Sequence, residues 1–474
     1  MSGSGMGIAL SGLDASQVGL DVVSQNISNA NTPGYIAESA NFTAVQDPLS
    51  LVGGGVQVAS VSQLSDQFQK TIELNANAQQ SYATQTQSIA NQVMTVFQEP
   101  ATNGVSEQLA NFWSSFDQVA NNPTNLAARA QVVSNAQNLA NTFNQDSNTL
   151  VNLASATSSS IQSQVQTLNS ELSTLASLNG AIHAAGTNSD QTLIDQQNAL
   201  LDKISSQIGA TIQHQNDGTV NVLLNGVMLV QGNLAPQTIS YSGASAGATP
   251  PYGLLIGGAN QQIPTSGTVG GLLNAVNTTI PDYQAKLYSV ANSLVNLVNG
   301  QQESGAYLVP TTSGGTTTYT TNSASTMAIF QPLSVSASGA FTMSVNPNLL
   351  PTSSPTAADP GPWGLAAAAN STTPNAGDGS NAQIIAEFAN STAGPDAAWA
   401  QASGQIGLDV SNANAALSTA QTNYQSAYQS DQAVSGVQQN QQMVNMVNYQ
   451  QSYQAAAKLI ATLAQTVQSL LAAV

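Results

Sequence analysis

The side chains that most often do acid–base or metal chemistry are present, but their spacing builds no site. There are two histidines, His183 and His214, and 23 acidic residues. The histidines are far apart in sequence, and neither has carboxylates around it at metal-ligand spacing. His183 reads as a residue near a helix end, where its charge favours the C-terminal dipole. His214 alternates with Ile212 on a strand and reads as solvent-facing. The chain contains no H-E-x-x-H or G-x-x-x-x-G-K-[ST] string, and no nucleophile elbow is expected. A glycosidase-type carboxylate pair could be assembled only in three dimensions, since the sequence singles out none. Gly53-Gly54-Gly55 and Gly257-Gly258 lack the strand–loop–helix setting of a phosphate cradle and read as bends or hairpins. The residues therefore predict no catalytic, cofactor-binding or metal-binding group and no cofactor.

Composition narrows the partners. Only 6% of the 474 residues are charged, against about 25% in ordinary globular chains. The five basic residues, Lys70, Arg129, Lys203, Lys286 and Lys458, cannot form the clusters that nucleic acid or anionic lipid requires. Asn, Gln, Ser and Thr carry solubility instead. Cysteine is absent, which excludes disulfides and thiolate metal sites. The first residues lack a basic and then continuously apolar leader, and no run is long enough to span a bilayer. The expectation is a chain that is cytoplasmic, or that leaves the cell without a cleaved signal and without membrane insertion.

What the sequence positions well is helix at both ends. Met446, Tyr449, Tyr453, Ala456, Ile460, Leu463, Val467, Leu470 and Val474 fall at alternating steps of three and four, a heptad seam. Met6, Leu13, Leu20 and Ile27 recur every seven residues. Neither segment carries much charge, so each wants a partner helix. Candidate assembly residues are accordingly Leu13, Leu20, Ile27, Met446, Tyr449, Tyr453, Ile460, Leu463, Val467 and Leu470. Tyr449 and Tyr453, one turn apart, suit packing within the monomer and packing against a partner equally.

Between the ends, the pattern divides the chain. Residues 1–65 read as an axial helix followed by an extended arm or hairpin, with a turn at Asn31-Thr-Pro-Gly-Tyr35. Residues 66–209 read as helical, with Pro123 ending one helix and Thr124 able to cap the next. The period becomes two over 210–265, a β-meander whose Asn225-Gly226 is a hairpin signal. Residues 266–300 return as helix, with a kink or restart expected at Pro281. Residues 301–375, rich in Ser, Thr, Gly and Pro, read as an outer, variable β-rich domain. Helix resumes over 376–435 and leads into the axial helix 436–474. The predicted class is mainly α with inserted β-rich domains. Its helical bundle and coiled coil involve both termini, and its β-domains point outward.

Segments at both ends and in the interior carry a resemblance. Ala9-Leu-Ser-Gly-Leu13, Leu20-Asp-Val-Val-Ser-Gln-Asn-Ile-Ser-Asn29 and Asn31-Thr-Pro-Gly-Tyr35 resemble the amino-terminal signature of flagellar rod, hook and hook-associated proteins. Ser435-Gly-Val437, Met443 to Tyr453 and Ala455-Ala-Ala-Lys-Leu-Ile460 resemble their carboxyl-terminal signature. Leu109 to Phe116, Asn122-Pro123, Ala127-Ala-Arg129, Leu193-Ile-Asp-Gln-Gln197, Val227 to Gly232, Gly267 to Leu272 and Gly377 to Asn381 are similar to the hook-associated protein 1 family of hook–filament junction proteins. Two stretches depart from that family. Gln438, Gln439, Gln441 and Gln442 stand where acidic residues are frequent, and Ile36-Ala37 where an Arg is frequent. The resemblance implies a structural, non-enzymatic subunit of the flagellum outside the cell, at the hook–filament junction, passing transiently through the cytoplasm. It implies type III export, assembly with itself as a ring, contacts with the hook subunit and a second junction protein, and an export chaperone on the C-terminal helix. Alternatives are a hook or other axial subunit, against which the long helices at 66–208 argue, and an acid-tolerant extracellular hydrolase, favoured only by the charge pattern.

Overall fold

The computed structural model describes residues 2–32, 35–45, 53–97, 104–186, 191–245, 248–258, 260–313, 315–324, 327–352, 355–356, 359–370 and 375–472. Helix accounts for 66% of the chain, which makes the class mainly α with β-rich insertions.

The chain starts with α1 (Ser2–Asn29). Pro33 and Gly34, on which the expected turn rests, lie outside the described residues, as does Asp47-Pro48. Strands β1 (Glu38–Val45) and β2 (Gly55–Gln63) form an antiparallel arm with a bulge at Asn41/Phe42. Helices α2 (Gln67–Phe97) and α3 (Val105–Asn121) follow. The next helix, α4 (Leu126–Ala185), runs unbroken for 60 residues, about 90 Å at 1.5 Å per residue. Its cap is Asn125, not Thr124: the Asn125 side chain accepts from the Ala127 and Ala128 amides, the short Asx geometry that suits this position.

Helix α5 (Gln191–Ile208) ends at Gly209, whose φ of 61° is open to glycine at little cost. The β region is two small sheets, not one meander. Strands β3 (Thr211–His214), β4 (Val220–Leu224) and β5 (Val227–Gln231) form the first; β6 (Ile239–Tyr241), β7 (Leu254–Ile256) and β8 (Asn260–Gln262) form the second. Asn225 and Gly226 both have positive φ, as a type I′ turn demands. Helix α6 (Gly267–Asn274) widens into a π turn over Ala275–Thr279 and restarts as α7 (Ile280–Ser304). Pro281 is the cause, because it cannot donate to the preceding turn and crowds it.

Strands β9 (Gly305–Ser313) and β10 (Thr316–Ser323) form a hairpin, β11 (Ser334–Val335) pairs with β12 (Phe341–Thr342), and β13 (Ala368–Ala369) pairs with the start of β9. Helices α8 (Ser380–Glu387), α9 (Pro395–Ser435) and α10 (Gln439–Ala472) complete the chain.

Two cores lie along α4. Its first half buries Val132, Leu139, Phe143 and Leu150 with α3, α7, α8 and the start of α9. Its second half buries Ile161, Leu168, Leu172 and Leu175 with α5, α6 and the two small sheets. The stretch 301–375, expected as an outward domain, shares the first core through Phe330, Phe341, Met343, Leu349 and Leu365. Strand pairs as short as β11–β12 cannot enclose a core of their own, so their apolar side chains bury against the helices. What stands clear is the β9–β10 hairpin away from its base, where Thr311, Thr316, Thr318 and Thr320 are exposed.

Candidate assembly interface

Helices α1 and α10 pair antiparallel into a two-helix rod. Glycines set the approach. A Cβ on Gly5 would lie 3.6 Å from Leu463, one on Gly12 4.0 Å from Ala456, and one on Gly19 2.9 Å from the ring of Tyr449. Gly5, Gly12 and Gly19 are spaced by sevens, as are Tyr449, Ala456 and Leu463, so the contact is a matched heptad. Gly19 therefore has to be glycine for the rod to close as it does.

The residues read from the sequence flank this seam. Leu13 and Leu20 sit one position beyond Gly12 and Gly19, Ile27 follows Asn26, and all three are half-buried. Met446, Tyr449, Ile460, Leu463 and Val467 are also half-buried, and Tyr453 is exposed. Leu470 is helical, but its side chain is outside the described residues, and so is Val474. The close-contact glycines were missed as functional residues, although their spacing of seven beside the leucines was legible.

The rod leaves apolar surface uncovered. Leu10 is 51% exposed, Val444 55% and Leu471 73%, with Met6, Met443, Val447 and Leu459 exposed as well. Beside it, an open groove of about 330 Å³ is lined by Gly12, Ala15, Ser16, Phe42, Val56, Tyr449, Ser452 and Ala456. Phe42 of the arm meets Tyr449 edge-on, with ring centroids 5.9 Å apart. Such surface does no bond chemistry; it buries apolar area against whatever covers it.

A polar joint ties the rod to the body. The Asn26 amide donates to the Glu38 carbonyl and accepts from the Glu38 N–H, both at 2.8 Å, and accepts from the Tyr35 hydroxyl at 3.0 Å. The Ala37 N–H donates to the Ser435 carbonyl at the end of α9, 2.8 Å away. Ser435 in turn donates to the buried Asp431 carboxylate at 2.8 Å. Lys70 lies 2.8 Å from both Glu73 and Asp202 and joins α2 to α5. Burial works against the Lys70 charge, but Asp202 and Glu73 outweigh it and hold the ammonium up to about 12. Burial also raises Glu73 above the usual carboxylate range, with Lys70 pulling it down in part.

The histidines stay apart. His183 lies in the last turn of α4, 3.0 Å from Asp217, and His214 is exposed on β3. Among the described residues, no three His, Asp or Glu side chains gather as metal ligands, and no helix is long and apolar enough to cross a membrane. One G-x-S-x-G string does occur, Gly243-Ala-Ser245-Ala-Gly247. It sits between two short strands instead of on a strand-to-helix turn, and its last two residues are outside the described set.

Sequence patterns of known proteins match α1 and the helical body. The sequence pattern of the flagellar hook-associated protein FlgK helical domain matches residues 90–316, and that of the flagella basal body rod protein matches residues 6–35. The flagellar hook-associated protein 1 of Escherichia coli K12 is 26% identical over 317 residues. That alignment covers 63% of this chain and 56% of the relative, so the chain matches little more than half the relative's length. The protein of the same name from Bacillus subtilis is 24% identical over 327 residues, covering 64% of this chain and 62% of the relative. The chain is similar to the FlgK flagellar hook-associated proteins over its helical body. Its fold agrees with the solved flagellar hook junction protein FlgK from Burkholderia pseudomallei. The TM-score is 0.56 at 18% identity, covering 77% of this chain and all of that one. The terms that describe the family are flagellar, hook-associated, structural and motility-related.

Proposed function

We propose that this chain is a structural subunit of the hook–filament junction, exported by the flagellar type III route and assembled outside the cell as a ring. The observation that carries this reading is the α1–α10 rod. Both chain ends meet in one element, fastened by a polar joint to a rigid helical body, and the rod keeps an apolar belt that water does not favour. Neighbouring copies would cover that belt, with the hook subunit on one side of the ring and a second junction protein on the other. The helical-domain match over 90–316 supports the junction over a general axial subunit, while the rod-protein match over 6–35 is what an axial subunit of either kind would show.

The decisive experiment is Leu463→Asp in cells. A carboxylate in the α1–α10 seam must be desolvated beside Gly5 without a basic partner on α1. The expected result is a normally folded body, loss of the chain from the junction and loss of filaments; normal filaments would overturn the reading. The helix α10, with Tyr453 and Leu459 exposed on it, suits the groove of a small cytoplasmic export chaperone. A chain truncated at residue 435 should fail to recover that chaperone in a pull-down.

A further inference from the structure

Ionic contacts hold little of this fold together. Among the described residues there are three, Lys70 with Glu73, Lys70 with Asp202, and His183 with Asp217. The single arginine, Arg129, is wholly buried and yet donates to the carbonyls of Pro123, Trp363 and Leu365, not to a carboxylate.

Side-chain amides take the place of ion pairs where helices meet strands and loops. Asn144 donates to the Met343 carbonyl at 2.9 Å and accepts from the Met343 N–H at 2.7 Å. Asn169 holds Ile239 in the same two-way fashion at 2.7 and 2.9 Å. Asn277 holds Tyr252 at 2.9 and 2.7 Å, and Asn299 holds Phe330 at 2.9 and 3.0 Å. Asn179, fully buried, donates to Val220 and Gly232 and accepts from the Val220 N–H. Gln302 spans Gly364 and Ala366, and Asn26 clasps Glu38 as described above.

An amide is suited to this contact because it offers a donor and an acceptor side by side and never titrates. An ionised carboxylate has no donor and would oppose the backbone carbonyl. A protonated carboxyl has both.

We propose that this chain is built to hold its fold in an acidic medium, below the pH at which carboxylates protonate, with the amide clamps as the device. The remaining polar contacts agree with this. Asp396 accepts from the Trp113 indole, Asp409 from the Tyr283 hydroxyl, Asp195 from Gln63 and Glu171 from Gln207. Each donor is neutral, and a protonated acid keeps a carbonyl oxygen to receive it. Burial raises Asp396 and Glu73, so the folded chain takes up those protons more readily than the unfolded one and gains stability as pH falls. Asp217, exposed and held low by Thr219, and Asp378, half-buried and held low by Ser380 against burial, run the other way.

The titratable surroundings of two clamps are sparse. In the half of the molecule that holds Asn144, α4 carries Arg129 and Asp146, α3 carries Glu107 and Asp117, and α7 carries Asp282, Tyr283, Lys286, Tyr288 and Glu303. From residue 304 to 358 the chain has no acidic or basic residue, only Tyr307 and Tyr319. The elements that hold Asn179 carry Glu171 and His183 on α4, Asp195, Asp202 and Lys203 on α5, and His214 and Asp217 on the β3–β4 hairpin. None of these is among its hydrogen-bond partners.

Thermal melts of the full-length chain at pH 7 and pH 2.5, at one ionic strength, test the proposal through Asn144→Asp, Asn179→Asp and Asn144→Ala. The wild-type midpoint should move by no more than a few degrees between the two conditions. Asn144→Asp should melt lower than wild type at pH 7 and regain the wild-type midpoint at pH 2.5, because the protonated carboxyl reproduces both bonds. Asn144→Ala should be lowered equally at both. Asn179→Asp should show the same acid rescue more strongly, up to folding only at pH 2.5. A wild-type midpoint that collapses at pH 2.5 overturns the proposal. So does an Asn144→Asp deficit that is the same at both pH values.

Discussion

Gly19 of α1 lies against the Tyr449 ring of α10 so closely that an added Cβ would stand 2.9 Å from three of its atoms. Gly19→Val should therefore open the rod, since a branched side chain needs far more room than the ring can yield. Gly19→Ala should do less, because a gain of about 1 kcal/mol in helix propensity offsets part of the clash. Limited proteolysis is the measurement. Cleavage within residues 1–29 and 439–472 should rise in the valine variant while α4 stays protected, and unchanged cleavage would mean the glycine contact is dispensable.

At the joint, the pH dependence has a definite sign. Lys70 is held above its ordinary value, so it stays charged and its own titration changes nothing between pH 3 and 7. Its partners do change. Lys70→Met leaves Glu73 and Asp202 without a counter-charge beside Asp431 at pH 7, a cost of about 1–3 kcal/mol. That cost should fade as pH falls, because the raised Glu73 takes up a proton and loses its charge. Melting midpoints of both chains at pH 7 and 3 should show a gap that narrows in acid.

Arg129 fastens the 360s loop to α4. Its guanidinium donates to Pro123 at 2.6 Å, Trp363 at 3.1 Å and Leu365 at 2.6 Å and lies 5.4 Å over the Trp363 ring. Burial lowers its pKa to about 10, which still leaves it charged at neutral pH. Arg129→Met should cost about 2–4 kcal/mol, since three buried carbonyls lose their donor. Arg129→Lys should recover only part of this, because an ammonium cannot span the fork. Urea midpoints of the three chains check the order.

Removing β-rich sequence should have two different outcomes. Phe330 is fully buried, with its ring 5.8 Å from Phe112, so Phe330→Ala should cost about 3–5 kcal/mol. Replacing 312–317 by a short turn should leave the midpoint nearly unchanged, because Ser313, Thr316 and Thr317 are exposed and Tyr319, whose ring packs 5.6 Å from Trp363, is kept. A large loss on trimming would show that the hairpin end supports the core.

Much of the architecture is legible in the residues. Amphipathic spacing marks α3, α4 and α5, Asn225-Gly226 marks the hairpin between β4 and β5, and Pro281 marks the restart of α7, because each is a local rule acting over a few residues. The resemblance at both ends is legible for the same reason. The glycine heptad was visible too, but its meaning depended on what faces it, and only the antiparallel pairing of α1 with α10 brought Tyr449 to Gly19.

Tertiary packing alone decided the rest. Residues 301–375 read as a separate lobe because Ser, Thr and Gly dominate locally, yet a few apolar side chains such as Phe330 and Phe341 place the stretch in the main core. The amide clamps were invisible for a related reason. An asparagine on a helix reads as a solvated residue until a strand from far along the chain lies beside it. By itself the sequence determined the elements, the low charge and the family likeness. Long-range packing decided which polar groups are paired and which apolar surface remains uncovered, because burial is a property of neighbours and not of the residue.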